Sequence, residues 1–157
     1  MANQGIETLT AEKFRPFGRV IGYPGKGAKG RKRNLFRIVV RDPRARGWRI
    51  AYLIVRDRMI RRMEQHPGSW ESFEPVRGRG LLFVSSRRDT RCIRCFRLER
   101  PVVLRKGVWH GVVTAALEAE IKLTENNKVR CVYWNLPFKL DTRGRRCPLG
   151  PAAVVKK

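Results

Sequence analysis

The chain has 157 residues and an apolar content of 42%, which suits one globular domain with a buried core. No segment approaches the roughly 18 or more apolar residues of a membrane-spanning helix, and the first residues lack the basic and apolar parts of a secretory signal. We therefore expect a cytoplasmic protein with no membrane partner. The formal net charge is +23, from 36 Lys and Arg residues against 13 Asp and Glu residues, so the surface is expected to attract polyanions.

This basic charge has two interpretations. Basic residues are densest between Lys26 and Arg49, where Asp42 is the one acidic residue. Along the predicted strands they alternate with apolar residues, as outward-facing positions do. They form either a solvated surface with incidental affinity for nucleic acid, or the binding surface of a non-catalytic, nucleic-acid-binding basic β-barrel protein.

The chain begins with a helix signal that is followed by a glycine-rich loop. Thr10 is a typical N-cap residue, and Pro16 and Gly18 are expected to end the short helix that it starts. The segment from Gly22 to Gly30 is rich in Gly and Lys, which predicts a mobile loop. It lacks the spacing and the strand-to-helix context of a phosphate-binding loop.

Beyond this loop, the pattern is that of short strands separated by turns, which predicts an all-β antiparallel sandwich or barrel. The predicted strands are Leu35–Val40, Trp48–Val55, Leu81–Val84, Cys92–Leu98, Pro101–Leu104, Val108–Val113, Ala119–Leu123 and Val129–Trp134. The predicted turns lie at 42–43, 67–68, 77–80, 106–107 and 126–127. We predict a single domain over 1–157, with its core at about 9–138 and a loosely ordered basic tail at 139–157.

The four cysteines do not form two closely spaced pairs. Cys92 and Cys95 are three positions apart, but Cys131 and Cys147 lie sixteen positions from each other. Residues three apart on a strand point to opposite faces, which disfavours a shared zinc ion. We expect buried free thiols, with a disulfide as the alternative and a structural zinc site as the least favoured state.

The scarce metal-binding side chains are concentrated in two short segments. The first reads E-x-H-x4-E-x6-G and contains Glu64, His66 and Glu71, and the second reads G-x2-H and ends at His110. Alternate residues of a strand share a face, so Glu64 and His66 point the same way. The turn at 67–68 allows Glu71 to return toward them, and a later strand delivers His110. The sequence predicts one metal site from these four residues inside a barrel.

Carboxylate oxygen and imidazole nitrogen suit a divalent transition metal, which could be Mn, Fe, Ni, Co or Zn. Taken one at a time, the same residues have ordinary explanations. Each histidine could be a satisfied, partly buried residue, and Glu64 and Glu71 could pair with the abundant arginines. The joint spacing favours the shared site.

That joint pattern resembles the cupin superfamily, whose first motif is H-x-H-x(3,4)-E-x6-G and whose second contains G-x2-H. Glu64 stands at the first histidine position, while His66, Glu71, Gly78 and His110 match the motifs. The resemblance implies a cupin-type double-stranded β-helix, a metal held by the four ligands named above, and a homodimer.

A closer resemblance is to the ureidoglycolate lyase family, also called ureidoglycolate hydrolase. It is carried by the opening LTAEKFRPFGRVI at 9–21, by EQHPGSWESFEP at 64–75 and by GVWH at 107–110. Two positions depart from the family, which has glutamine where this chain has Glu71 and a second histidine where it has Gly111. The resemblance implies a lyase of purine catabolism that releases urea from ureidoglycolate and leaves glyoxylate.

For such a reaction, we expect the catalytic residues to be Glu71, His110 and Glu64, with a metal lowering the pKa of the substrate hydroxyl and Glu71 taking its proton. The substrate is a small anion, and Arg105 is the expected partner of its carboxylate, with Trp109 either a pocket wall or a core residue. The Gln-to-Glu difference also allows a related enzyme that acts on another small hydroxy or keto acid, or on a carbohydrate derivative.

Overall fold

The computed structural model describes residues 5–22 and 36–149. The predicted glycine-rich loop after Gly22, the first residue of the predicted strand at Leu35, and the end of the predicted tail from 150 lie outside the described residues. No helix among the described residues is both long enough and apolar enough to cross a membrane.

The chain forms one short helix and ten strands across the described residues. In chain order, they are β1 (Ile6–Glu7), α1 (Ala11–Phe14), β2 (Gly18–Val20), β3 (Trp48–Val55), β4 (Met59–Gln65), β5 (Glu71–Ser85), β6 (Arg94–Arg97), β7 (Val102–Leu104), β8 (Trp109–Asn126), β9 (Val132–Asp141) and β10 (Arg146–Pro148). One 3-10 turn, Thr90–Cys92, precedes β6.

The two longest strands, β5 and β8, form the centre of the sheet. They pair antiparallel over most of their lengths, from Glu71 opposite Glu125 to Ser85 opposite Trp109. β3 and β4 pair with opposite ends of β8, while β7 and β6 pair with opposite ends of β5. β9 adds to β4 and β10 adds to β9, and every pairing is antiparallel except that of β1 with β6. The sheet therefore branches around β5 and β8.

Both faces of the second half of β5 are buried, because alternate side chains of a strand point to opposite sides. Leu82 and Val84 belong to one hydrophobic cluster, which includes Phe14 from α1. Leu81 and Phe83 belong to a second cluster. A strand that is buried on both faces needs a nearly continuous run of apolar residues, and Leu81–Val84 supplies it.

The predicted all-β, mainly antiparallel fold with a short N-terminal helix is confirmed. Thr10 caps α1 as predicted, since its hydroxyl accepts a hydrogen bond from the Lys13 backbone N–H at 3.2 Å. Phe14 at the end of α1 is fully buried and packs edge-on against Phe96. The helix thus closes one end of the first cluster.

The turn predicted at 77–80 is wrong, because this segment lies inside the single strand β5. Two irregularities interrupt the pairing with β8 there, one between Pro75 and Arg77 and one between Gly78 and Gly80. Gly78 has a positive φ of 80°. The glycines therefore bend the strand instead of ending it, as bulges do.

Other predicted boundaries are also wrong. The described part of the strand predicted at 35–40 is not a strand, and Phe36 and Ile38 in it are exposed, so they have no buried face to hold them in a sheet. β9 begins at Val132, three residues later than predicted, and β6 is shorter than predicted. Part of the predicted tail is ordered, since β9 continues to Asp141 and β10 pairs with it. Asp141 explains this order, because it holds the intervening turn by bonds to Arg145.

All four cysteines are free thiols, as predicted. Burial is confirmed only for Cys95, where it raises the pKa of the thiol to about 12. Cys92 and Cys147 are partly buried, and Cys131 is exposed.

Replacing Gly78 with alanine should test the bend in β5. A Cβ at this position would overlap the Glu118 carbonyl oxygen and lie 2.8 Å from the Ala119 Cα, in addition to requiring a positive φ. We expect Gly78→Ala to reduce the free energy of unfolding by at least about 2 kcal/mol in denaturant titration. The matched control is Gly68→Ala, where no atom lies within 4 Å of the added Cβ, and we expect a change below about 1 kcal/mol. Equal effects of the two substitutions would contradict this account.

Candidate metal centre

The two sequence segments meet where β4 ends and where β5 and β8 begin. Glu64 lies near the end of β4 and is directly opposite His110 of β8. His66 follows β4, and Glu71 is the first residue of β5. The four predicted ligands are therefore brought together by the pairing of three strands.

A glycine turn fixes the second segment to the first. Gly107 has a φ of 75°, and its backbone N–H donates a hydrogen bond to the His66 carbonyl at 2.9 Å. A positive φ favours glycine over other residues. This turn places His110, three residues later, against the end of β4.

Glu71 is the centre of the group. Its Oε2 atom lies 3.0 Å from His110 Nε2 and 3.3 Å from His66 Nε2. Glu64 Oε1 lies 3.7 Å from His110 Nε2. Glu71 and both histidines are buried, whereas the side chain of Glu64 is 40% exposed. One carboxylate is therefore enclosed by imidazoles, and a second one faces outward.

Both imidazole rings are oriented by backbone carbonyls. His110 Nδ1 lies 3.0 Å from the Val108 carbonyl oxygen, and His66 Nδ1 lies 3.4 Å from that of Arg130. A carbonyl only accepts hydrogen bonds, so each Nδ1 carries the hydrogen, and in the neutral ring Nε2 keeps its lone pair. This is the orientation that metal-binding histidines have in proteins. Phe73 packs edge-on against the His110 ring and restricts it further.

Two buried atoms of the site, Glu71 Oε2 and His110 Nε2, have no hydrogen-bond partner among the described residues. They are only 3.0 Å apart but are not aligned as a hydrogen bond. Two ligand atoms at about 2.1 Å from one ion are separated by roughly 3.0–3.5 Å at octahedral or tetrahedral angles. The spacing and the unused lone pairs therefore fit a shared cation.

The charge state of the metal-free group follows from its contacts. Burial opposes ionisation of Glu71, but the two histidines outweigh it and lower the pKa of this carboxyl to about 2. Burial also opposes protonation of His66, but Glu71 and Glu64 raise the pKa of this imidazole above its ordinary value. Glu71 is therefore a carboxylate at neutral pH, and the site attracts a positive charge, whether a proton or a metal ion.

A fifth side chain, Glu125, lies beside the group and was not predicted. It is opposite Glu71 in the pairing of β5 with β8, and it forms a potential metal-binding group with His66 and Glu71. Arg49 of β3 binds its Oε1 atom at 2.9 Å. No local motif marks Glu125, because its position depends on the register of two long strands.

A cavity of about 340 Å³ opens on the outer side of the site. Glu64 and His110 form part of its wall, together with Arg62 and Tyr133. The Arg62 guanidinium lies over the Tyr133 ring, 4.2 Å from the ring centroid. Arg62 is two residues before Glu64 on β4, so its proximity could have been predicted from strand alternation.

The two residues predicted to bind substrate lie elsewhere. Trp109 is a core residue of the second cluster, where its ring packs edge-on against Trp134 at 5.6 Å. It precedes His110 on β8, so it points to the opposite face of the strand. Arg105 is exposed, lies before the Gly107 turn, and does not line the cavity. Neither side chain is therefore in position to contact a molecule in this cavity.

Gly111 stands where the lyase family has its second histidine. A Cβ added there would lie 2.5 Å from Ile60 Cδ1. The side chain of Ile60 thus occupies the space into which a residue at this position would extend.

No protein-family model matches the chain, and no curated protein matches it. Solved structures of Bacillus subtilis oxalate decarboxylase do match, among them one determined at pH 4.6, a serine-to-alanine mutant and one described for its Mn(II) centres. Each is 16% identical to this chain with a TM-score of 0.44. The matched regions cover 58% of this chain and 24% of the oxalate decarboxylase chain, so this chain spans about a quarter of the length of that protein.

Removing the central carboxylate should remove the metal. We expect Glu71→Gln to lower the content of bound Mn, Fe, Ni, Co or Zn at least about tenfold, measured by elemental analysis after metal loading and dialysis. The matched control is Glu74→Gln, since Glu74 lies on the same strand but bonds Lys122, Ser72 and Thr124 away from the site. Wild-type protein that retains no transition metal, or equal retention in both variants, would contradict the assignment.

Proposed function

We propose that this protein is a cupin-type metalloenzyme of the lyase class that acts on a small anionic hydroxy acid, with ureidoglycolate as the first candidate. The observation that carries the proposal is the convergence of two Nε2 lone pairs on the buried Glu71 carboxylate beside an open cavity. The motif resemblance to the ureidoglycolate lyase family supports the choice of substrate.

His66, Glu71 and His110 would hold the metal, since Glu71 Oε2 lies 3.3 Å from His66 Nε2 and 3.0 Å from His110 Nε2, and this donor set suits Mn, Fe, Ni, Co or Zn. When bound, the metal would supply a positive charge that lowers the pKa of a hydroxyl group. The backbone carbonyls of Val108 and Arg130 keep both imidazoles in the tautomer that such binding needs.

The proton-accepting role goes to Glu64, whereas the sequence predicted Glu71. Glu71 is enclosed by two histidines, and its pKa of about 2 makes it a weak base. Glu64 lines the cavity, and its side chain is the more exposed of the two. It would take the proton of the 2-hydroxyl group as the carbonyl of glyoxylate forms. The C–N bond breaks with its electron pair on nitrogen, and the same proton then returns to the departing urea.

Arg62 is the candidate for binding the substrate carboxylate, in place of Arg105. Stacking on Tyr133 holds its guanidinium at the cavity wall, and this group can bind a carboxylate through two hydrogen bonds. Residues Arg62 and Glu64 lie on neighbouring positions of the same cavity wall, so one small molecule could contact both.

A related activity on another small hydroxy or keto acid, or on a carbohydrate derivative, uses the same site. Two observations favour keeping it as a second candidate. Glu71 replaces the family's glutamine and adds a negative charge, and Ile60 fills the space beside Gly111 where the family has a histidine. The first difference falls on a proposed metal ligand and the second lies beside His110, so both change the groups that ureidoglycolate would meet.

Glyoxylate release from ureidoglycolate by the metal-loaded protein tests the chemistry. We expect Glu64→Gln to lower kcat by about a hundredfold to ten-thousandfold because it removes the proton acceptor. His110→Ala should lower activity at least about a hundredfold, together with the bound metal. Full activity in either variant would reject the assigned role. A wild-type protein that binds metal but releases no glyoxylate would reject ureidoglycolate and leave the second candidate.

A matched pair of arginine variants tests the carboxylate partner. We expect Arg62→Ala to lower kcat/KM at least about tenfold, mainly through KM, because it removes a charged hydrogen bond to the substrate. Arg105→Ala should leave both constants unchanged, since Arg105 does not line the cavity. If Arg105→Ala lowered kcat/KM and Arg62→Ala did not, Arg105 would be the residue that binds the substrate carboxylate.

A further inference from the structure

The strand β3 carries an exposed row of large apolar side chains. Trp48, Ile50, Tyr52 and Ile54 alternate along it and are 69%, 57%, 56% and 44% exposed. Alternate residues share one face, so the four side chains form a single stripe about 20 Å long. The opposite face of β3 points inward, where Val55 belongs to the first hydrophobic cluster. We call these four side chains the β3 stripe.

Six charged side chains of the described residues form ion pairs with one another next to the β3 stripe. Arg77 pairs with Glu118 and Glu120, Arg56 pairs with Glu118, and Lys122 pairs with Glu74. The Tyr52 hydroxyl donates a hydrogen bond to Glu120.

This set contains three cations (Arg56, Arg77 and Lys122) and three carboxylates (Glu74, Glu118 and Glu120), so its net charge is zero. The whole chain has a net charge of +23. These six residues therefore form an electrically balanced part of the face on a strongly basic protein, and we call this part the balanced face.

We propose that this face is the contact surface of a homodimer, in which the β3 stripe of one copy packs against that of a second copy. Two copies that each carry +23 repel one another over most of their surface, and a balanced face lowers this repulsion where they touch. A two-fold axis brings the same stripe to both sides, which makes the contact self-complementary.

The size of the stripe is sufficient for such a contact. Four large side chains at these exposures present roughly 500 Å² of apolar surface, at the upper end of what a monomer usually leaves exposed. Two copies face to face would bury on the order of 1,000 Å² from the stripes alone, and the flanking charged rows add to this. The total buried area of the two copies therefore reaches the range that specific protein–protein interfaces bury.

The charges favour a second copy over nucleic acid. A nucleic-acid surface with stacking aromatics needs an excess of cations beside them. Trp48 and Tyr52 offer aromatic rings, but the cations next to Tyr52 are already paired with carboxylates. The inference does not depend on the proposed enzyme activity, because the stripe lies on the face of the sheet opposite to Glu71 and Glu125.

Sedimentation equilibrium at several protein concentrations and at low and high salt tests the proposal. We expect a dimer whose dissociation constant stays constant or falls as salt rises, because salt screens the repulsion between the basic copies. Ile50→Lys should raise that constant at least about tenfold, since it places a charge in the centre of the contact. The matched control is Leu117→Lys, which adds the same charge at an exposed residue outside the stripe. It should leave the constant unchanged.

Unchanged thermal unfolding and metal content should accompany both substitutions, because the two side chains are exposed. A wild-type protein that is monomeric at every concentration would overturn the proposal, as would a dimer that Ile50→Lys does not weaken or that Leu117→Lys weakens equally. A complex with single-stranded RNA that is lost in Trp48→Ala and weakens steeply with salt would assign the face to nucleic acid instead.

Discussion

The structure depends on the burial of one carboxylate, Glu71, between two imidazole nitrogens that keep their lone pairs. Each buried hydrogen-bond acceptor that has no partner lowers the stability of the fold by about 1–3 kcal/mol. Glu71 and the two imidazoles therefore require a cation between them. The need is met at neutral pH either by a proton on a histidine or by a metal ion. The side chain is not free to turn away, since Glu71 begins β5 and is held between β7 and β8.

The orientation of the imidazoles depends on the turns that flank them. The carbonyls of Val108 and Arg130 accept the Nδ1 hydrogens, and the Gly107 N–H bonds the carbonyl of His66. The backbone therefore fixes both the positions of the rings and their tautomers. A change in a turn would alter the chemistry of the site without replacing a ligand, because each ring is oriented by main-chain atoms of a neighbouring segment.

Local spacing was sufficient to predict that the four candidate ligands lie together, but not to predict their surroundings. Glu64, His66 and Glu71 are close in sequence, so strand alternation and one turn bring them together. Glu125 and the bend at Gly78 depend on the register of β5 against β8, which no short segment contains. Arg105 is close to His110 in sequence, but it is Arg62 that shares the cavity wall with Glu64.

The opposite charges of the site and of the whole chain are compatible because they act over different distances. At physiological ionic strength, charges separated by more than about 8 Å are largely screened, so three nearby glutamates determine whether a cation binds. The surplus of Lys and Arg acts on molecules before they arrive, since a basic surface raises the local concentration of small anions. Under the proposed function, a carboxylic acid substrate would be attracted by the surface and then held at Arg62, while a metal would be held at the buried Glu71 carboxylate. The cations beside the β3 stripe are paired with carboxylates, so they add little to this attraction, and this agrees with the proposed contact to another copy.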